Sequence, residues 1–309
     1  MVTLIVVLVT RQTEQRGTVE FYAAADEAST LHADASDTLN STLAQIGPLL
    51  SRQEVTTRLA LVTETATEAD LLLDLEVPPS VGNAYGSIDA ASTSWVDGAT
   101  EVQQVVIAIM DGELVTAAEV ELEAALDKLR VGDVGYEQFR TAAAIAAEDL
   151  TLPAFGPVWY INPAPADPLL YDAQNLVLRI QAAYNLAPRR NVGVIGSTVP
   201  EPVGDRGGIP LVPFSEAIGV NAVVTNLGNE DETDVGVSLD VLNIDTGQGF
   251  ADLTSIESLT AGASTTVMFD NLDLTPGGLY QVTVSVTIEE DNDPLNNVWS
   301  MTFIWNEES

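Results

Sequence analysis

The spacing of the apolar residues changes once along this chain, and that change restricts the fold more than any single motif. Through the first half, apolar side chains recur every three or four residues: Leu39, Leu43 and Ile46, then Val55, Leu59, Val62, Ala66, Ala69 and Leu73, then Val81, Tyr85, Ile88, Trp95, Ala99, Val102, Val106 and Ile109. That spacing lays one apolar stripe along a helix. Beyond Asn191 the period becomes two. Tyr280, Val282, Val284 and Val286 share one side of an extended segment, and Trp299, Met301, Phe303 and Trp305 oppose Val298, Ser300, Thr302 and Ile304. The chain therefore reads as multidomain α and β, an N-terminal antiparallel helical bundle followed by an immunoglobulin-like β-sandwich. Its 309 residues are enough for about two domains.

Breaks divide the first half into four or five helices. Gly47-Pro48 and Val77-Pro78-Pro79 end two of them, Ser80 reads as the N-cap of the third, and Asp111-Gly112 closes it. The next helix carries Leu114, Ala118, Leu122, Leu126 and Leu129, and Arg130-Val-Gly-Asp133 reads as a break before another with Tyr136, Phe139 and Ala143. Pro153, Pro157, Pro163, Pro165 and Pro168 make residues 151–170 a stiff connector. A helix over 171–187 follows, with Leu176, Ile180 and Tyr184 on one face and Arg189-Arg190 at its C-terminal end. The expected boundaries are 1–10, an apolar segment; 11–150, the bundle; 151–189, the connector with its helix; and 190–309, the sandwich. Strands are expected over 192–197, 218–225, 235–243, 264–269, 278–287 and 298–305, with turns at Asn226-Leu-Gly-Asn229, Thr260-Ala-Gly262 and Thr275-Pro-Gly-Gly278.

Charge and chemistry-bearing residues exclude several functions. With 46 acidic against 11 basic residues, the net charge of -35 repels nucleic acid. Without cysteine there is no thiolate nucleophile and no zinc-thiolate site. His32 is the sole histidine, so neither a second imidazole nor a thiolate can join it around a metal, and a serine triad would have to recruit it. We read it, with Trp95 and Tyr85, as core. Gly193-Val-Ile-Gly196 and Gly204-Asp-Arg-Gly-Gly208 lack the remaining elements of dinucleotide and phosphate loops. The start, MVTLIVVLVTRQ, is too short to span a bilayer as written. It has three readings: the tail of a membrane-anchor helix, a buried first element, or a pilin-like assembly helix.

Five pieces of the second half occur in a telling order: Ala222-Val-Val-Thr-Asn-Leu-Gly-Asn229, Val235-Gly-Val-Ser-Leu239, Ile256-Glu-Ser-Leu-Thr-Ala-Gly262, Pro276-Gly-Gly-Leu-Tyr280 and Asp291-Asn-Asp-Pro-Leu-Asn-Asn297. Together they resemble the cell-adhesion-related domain found in bacteria and archaea, abbreviated CARDB, over about residues 190–306. More faintly, the helical region is similar to that of membrane-anchored actinobacterial surface proteins. The resemblance implies an exported, extracytoplasmic module without catalytic activity, contacting a protein, a glycan or a sibling copy, and attached to the membrane through residues 1–10.

Two readings of the acidic bend at 288–297 stay open. Asp291, Asp293 and Asn296 are hard oxygen donors of the kind calcium prefers, whereas Pro294 and the asparagines suit a hydrogen-bonded turn. Calcium is the one ion any motif calls for, and no organic cofactor is implied. Beside the envelope module stand two alternatives: a subunit of an extracellular filament or surface layer, and a hydrolase using two carboxylates, which needs no histidine.

Overall fold

In the computed structural model the description covers residues 2–113, 117–146 and 152–307, with side chains from residue 14 onward. The apolar stripes become helices α1 (Val2–Gln45), α2 (Arg52–Leu71), α3 (Gly82–Met110) and α4 (Ala118–Ala146), followed by the short α5 (Ala173–Ala182). Leu39, Leu43, Val55, Leu59, Val62, Trp95, Val102, Leu122, Leu126 and Phe139 all lie in one buried core, as their spacing requires. Ser51 starts α2 with a capping box: its hydroxyl accepts from Glu54 N while Glu54 Oε2 accepts from Ser51 N at 2.8 Å. The first compact unit extends through Ala187, and the second begins at Pro188.

Four features differ from the sequence reading. First, α1 runs from Val2 without interruption into the polar Thr10-Arg-Gln-Thr-Glu-Gln-Arg16. Among the described residues no helix is long and apolar enough to cross a membrane, so the expected membrane contact through residues 1–10 is corrected. Second, Ser80 is not an N-cap. A 3-10 turn over Pro79–Val81 precedes α3, and the Ser80 hydroxyl lies 3.5 Å from that of Thr18.

Third, α4 is continuous through Arg130-Val-Gly-Asp133. Gly132 is there for proximity rather than for a bend, because a Cβ on it would lie 2.3 Å from Trp95 Cδ1. Leu114, placed on this helix from its spacing, lies outside the described residues. Fourth, α5 is shorter than expected. Asp172 caps its start by accepting from Asn175 N at 2.7 Å, and it stops at Ala182, leaving Tyr184 78% exposed. Polar side chains in and just after α5 serve the end of α1. Arg179 Nη2 donates to the carbonyls of Leu43, Ala44 and Ile46, and Asn185 Nδ2 donates to those of Gly47 and Leu50. The carbonyls of Leu43, Ala44 and Ile46 are at the helix terminus, which leaves such groups without intrahelical partners, and those of Gly47 and Leu50 belong to the turn that follows.

The second unit is a β-sandwich. Its strands are β1 (Val192–Val199), β2 (Gly204–Arg206), β3 (Ile209–Val212), β4 (Gly219–Asn226), β5 (Glu232–Asn243), β6 (Gly249–Leu259), β7 (Ser264–Phe269), β8 (Leu279–Thr287) and β9 (Val298–Trp305). One sheet has the order β1-β4-β7 and the other β2-β3-β9-β8-β5-β6, antiparallel throughout except where β3 runs parallel to β9. Val220, Ala222 and Val224 of one sheet meet Val237, Leu239, Val282, Val284 and Phe303 of the other in a separate core. Two sheets of this order, with successive strands crossing between them, form the immunoglobulin type of sandwich. Tyr280, at the start of β8, adds the tyrosine corner: its hydroxyl donates to Thr275 O at 3.1 Å and accepts from Thr275 N at 2.7 Å. A Cβ on Gly278 would strike that ring at 2.7 Å, which accounts for the Pro-Gly-Gly-Leu-Tyr sequence. Strands β2, β3 and β6 have no counterpart in the sequence reading. The first two are very short, and β6 is exposed on both sides, so no alternation marks it.

The close approach at Gly132 sets a test. Gly132→Ala forces overpacking against Trp95 and should cost about 1–3 kcal/mol or more, whereas Gly86→Ala, where an added Cβ meets nothing within 4 Å, should raise the melting temperature of the helical unit. Calorimetry on the two variants checks the contrast.

Candidate functional site

The polar groups most suited to chemistry in the helical unit converge on one buried place. Helix periodicity puts His32 of α1, Ser92 and Trp95 of α3 and Asp133 of α4 on inward faces, and Tyr160 of the proline-rich segment inserts between them, none more than 4% exposed. His32 Nδ1 lies 3.1 Å from the Tyr160 hydroxyl and Nε2 lies 2.9 Å from the Ser92 hydroxyl. A neutral imidazole has one donor and one acceptor, which suits two hydroxyls that can each play either part. His32 also packs against the indole of Trp95, ring centroids 4.7 Å apart.

Asp133 is the second half of this network. Its Oδ1 accepts from Trp95 Nε1 and from Tyr160 N, and Oδ2 accepts from Ile161 N, each at 2.9 Å. The segment around Tyr160 has no strand or helix to satisfy its amides, so side chains do it instead. Asn40 Nδ2 donates to Trp159 O, Arg140 Nε to Phe155 O, the Tyr136 hydroxyl to Gly156 O, and the Tyr171 hydroxyl to Asn40 Oδ1 while accepting from Asn162 N. The prolines keep the segment extended, and these bonds strap it across α1 and α4. Ser92 and His32 are neighbours, and both are buried in the core.

Burial sets the titration of both charged members. It pushes Asp133 up to about 6, outweighing the three N–H donors and nearby Arg130, which favour the carboxylate, and it lowers His32 to about 3. For Asp133 the folded value lies above the unfolded one, so the stability it contributes is full below about 3.8 and is lost as pH rises through 6. For His32 the folded value lies below the unfolded one, so its contribution is full above 6.5 and is lost as pH falls toward 3.

The sequence motifs of the sandwich converge elsewhere, on the backbone at 189–192 that leads into β1. Asn226 is fully buried. Its Nδ2 donates to Glu230 O and Leu259 O, its Oδ1 accepts from Gly228 N, and a Cβ on Gly228 would collide with Arg189 O at 2.3 Å. Asn229 Oδ1 accepts from Arg189 N, and Asn292 Oδ1 from Arg190 N, each at 2.7 Å. Glu232 has no side-chain exposure and pairs with Arg190 at 2.6 Å. Arg190 thus belongs to the sandwich, not to the end of α5.

The candidate calcium residues stand in the same clamp. Asp291 Oδ2 accepts from Val192 N at 3.2 Å and from Asn297 Nδ2 at 3.1 Å, and its Oδ1 accepts from Asp293 N at 2.7 Å. Asn296 Nδ2 donates to Asn191 Oδ1 at 3.1 Å. The bend brings Asp291 and Asn296 together on the lead-in to β1, while Asp293 is exposed. Among the described residues no group of three or more His, Cys, Asp or Glu is arranged to hold a metal ion. Both carboxylate oxygens of Asp291 accept from N–H donors.

A third feature, which the sequence reading missed, is a shallow recess of about 540 Å³ on the outer side of β5, β6 and β8, lined by Asp240, Leu242, Phe250, Ala251, Gln281 and Thr283. Asp133, Tyr160 and Glu232 were missed as well. An aspartate set among leucines at helical spacing, and a WYIN run among prolines, were the available signals.

No protein-family model matches the chain, and no curated protein matches it either. Among solved structures it is similar to the CARDB domain of a Pyrococcus furiosus protein crystallised in complex with di-metal ions, at 19% identity over 38% of this chain and 88% of that one, with a TM-score of 0.28. The solution structure of that domain gives 16% identity over 38% and 98%, again with a TM-score of 0.28. Pseudomonas fluorescens alkylpurine DNA glycosylase AlkC, bound to DNA containing an abasic site analog, gives 13% identity over 91% and 99%, with a TM-score of 0.25. Such TM-scores do not establish a shared fold, and the sandwich topology rests on its own strand pairing.

Two predictions follow from these networks. Relative to Asp133→Asn, the wild-type helical unit should lose about 2 kcal/mol of stability between pH 4 and 6, read from denaturant titrations at several pH values. Asp291→Ala should lower the melting temperature of the second unit in calcium-free buffer, since it releases Val192 N and Asn297 Nδ2. A rise in wild-type melting temperature with millimolar calcium, lost in that variant, would contradict the clamp role.

Proposed function

We propose that this chain is a non-catalytic, extracytoplasmic envelope protein in which the helical unit is scaffold and the sandwich carries the contact surface. The observation that carries this reading is the free side of β6. The strand stands at the end of its sheet, pairs only with β5 through its ladder, and is exposed along nearly all of its length. Leu253 is 77% exposed, and Phe250 is partly exposed beside the recess. An edge this long and open is a template for an incoming strand, and natural sandwiches leave one free where a partner uses it. Asp252 and Glu257 give this edge a negative charge that discourages pairing with copies of itself, so the partner is a different, neutral or cationic macromolecule. The sequence resemblance to the cell-adhesion-related domain supports placement at the surface. The buried network supports the scaffold role, because His32, Ser92 and Asp133 are committed to holding the strap.

The test uses intact source cells. Antibody against the sandwich should label unbroken cells, and external protease should remove the signal. Phe250→Ser with Leu253→Ser should abolish retention of the added full-length chain on the envelope fraction while leaving its melting temperature nearly unchanged, as both side chains are outside the core. Labelling only after lysis, or retention indifferent to the double substitution, would overturn the reading.

A further inference from the structure

A second exposed stripe, on α4, is built differently. Val120, Ala124, Asp127, Val131, Val134, Gln138, Thr141 and Ile145 advance by four and three residues alternately, and all are exposed. The large apolar members are well out in solvent: Val120 73%, Val131 61%, Val134 59% and Ile145 66%. Spacing of this kind is a coiled-coil seam, yet the seam α4 uses inside its own unit is another one, through Leu122, Leu126, Leu129, Tyr136 and Phe139. Among the described residues the outer stripe has no partner; it is bounded by α3 on one side and by Phe155 and Tyr171, through Arg140 and Arg130, on the other.

Its order is palindromic. Read from either end, the steps are the same, so a second α4 laid antiparallel about a two-fold axis between Val131 and Val134 matches the stripe to itself. Val131 then meets Val134 of the second copy, Val120 meets Ile145, Ala124 meets Thr141, and the Asp127 carboxylate meets the amide of Gln138, apolar to apolar and acceptor to donor. Such self-matching is what an isologous interface requires. The charge is suited as well. α4 carries Lys128, Arg130 and Arg140, and they neutralise its flanks locally: Arg130 pairs with Glu123 and Asp127, Arg140 with Glu137, and Lys128 with Glu101 of α3. Arg130 and Glu137 lie one heptad apart on the same flank, and the two-fold axis brings each Arg130 within about 3 Å, along the helix axis, of Glu137 of the second copy.

From this juxtaposition we infer that α4 is a homodimerisation helix, pairing antiparallel with α4 of a second copy of this chain. The interface uses no residue of β6, so it stands independently of the contact surface proposed above, and a dimer would present two sandwiches to one partner. Because the chain carries a net charge of -35, association is strongest where salt screens the rest of the surface.

The experiment is sedimentation equilibrium of the full chain at roughly 0.1 mM and in about 1 M salt, where the Debye length falls to about 3 Å. A dimer is expected. Val131→Glu should weaken it by on the order of tenfold or more, with an unchanged melting temperature because the side chain is exposed. At about 0.15 M salt, where the Debye length is about 8 Å and the flanking charges still act, Arg130→Glu should weaken it, and adding Glu137→Arg should restore it. The chain has no native cysteine, so a mixture of Val131→Cys and Val134→Cys chains under mild oxidation should give the mixed disulfide in preference to either self-disulfide. A monomer under these conditions, a dimer unaffected by Val131→Glu, or preferential self-disulfides would overturn the proposal.

Discussion

The proline-rich segment of the helical unit depends on one carboxylate. Asp133 sits inside a helix, surrounded by core, and takes three N–H donors: the Trp95 indole of α3 and the backbone of Tyr160 and Ile161. Burying a carboxylate is costly, and the push of Asp133 toward about 6 is that cost expressed as proton affinity. What it secures is a segment with no secondary structure of its own. Once Tyr160 is held, its hydroxyl reaches His32, His32 reaches Ser92, and α1, α3 and α4 are joined through groups that neutral hydrogen bonding satisfies. Gly132 is the geometric condition for all of it, since any side chain there would displace the indole that Asp133 holds.

The sandwich solves the same problem in the same way. Its lead-in at 189–192 is held by side chains: Asn229, Asp291 and Asn292 act as acceptors for it, Asn226 accepts from Gly228 N in the adjoining turn, and buried Glu232 holds the Arg190 side chain. Tyr280 does likewise for the turn before β8. The polar residues that interrupt the apolar strands, such as Asn226, Asn229, Asp291 and Tyr280, are therefore those that anchor loops.

What could be read from the sequence follows from this. Stripes such as Val55, Leu59 and Val62, and alternations such as Tyr280, Val282 and Val284, report burial directly, so helices, strands and both cores were legible. Gly132-Asp133 was misread as a break because glycine and aspartate carry two meanings, local turn chemistry and close tertiary packing, and only the neighbour decides between them. Strand β6 was invisible because exposure on both sides leaves no period. The bonds of Asp291 and Asn296 to Val192 and Asn191 join residues about a hundred positions apart, which no local pattern at 288–297 reveals. The membrane reading failed for a related reason: a short apolar run does not reveal whether the helix around it continues as polar, as α1 does.

The proline-rich segment is an integral, hydrogen-bonded part of the helical unit, held through Asp133. Amide hydrogen exchange on the native full chain tests it most directly. Tyr160 and Ile161 amides should be protected to the same order as those in the middle of α3 and α4, although they lie in no helix or strand. Exchange at the rate of an unstructured peptide would show that the strap is not held, and the account of the helical unit would fail with it.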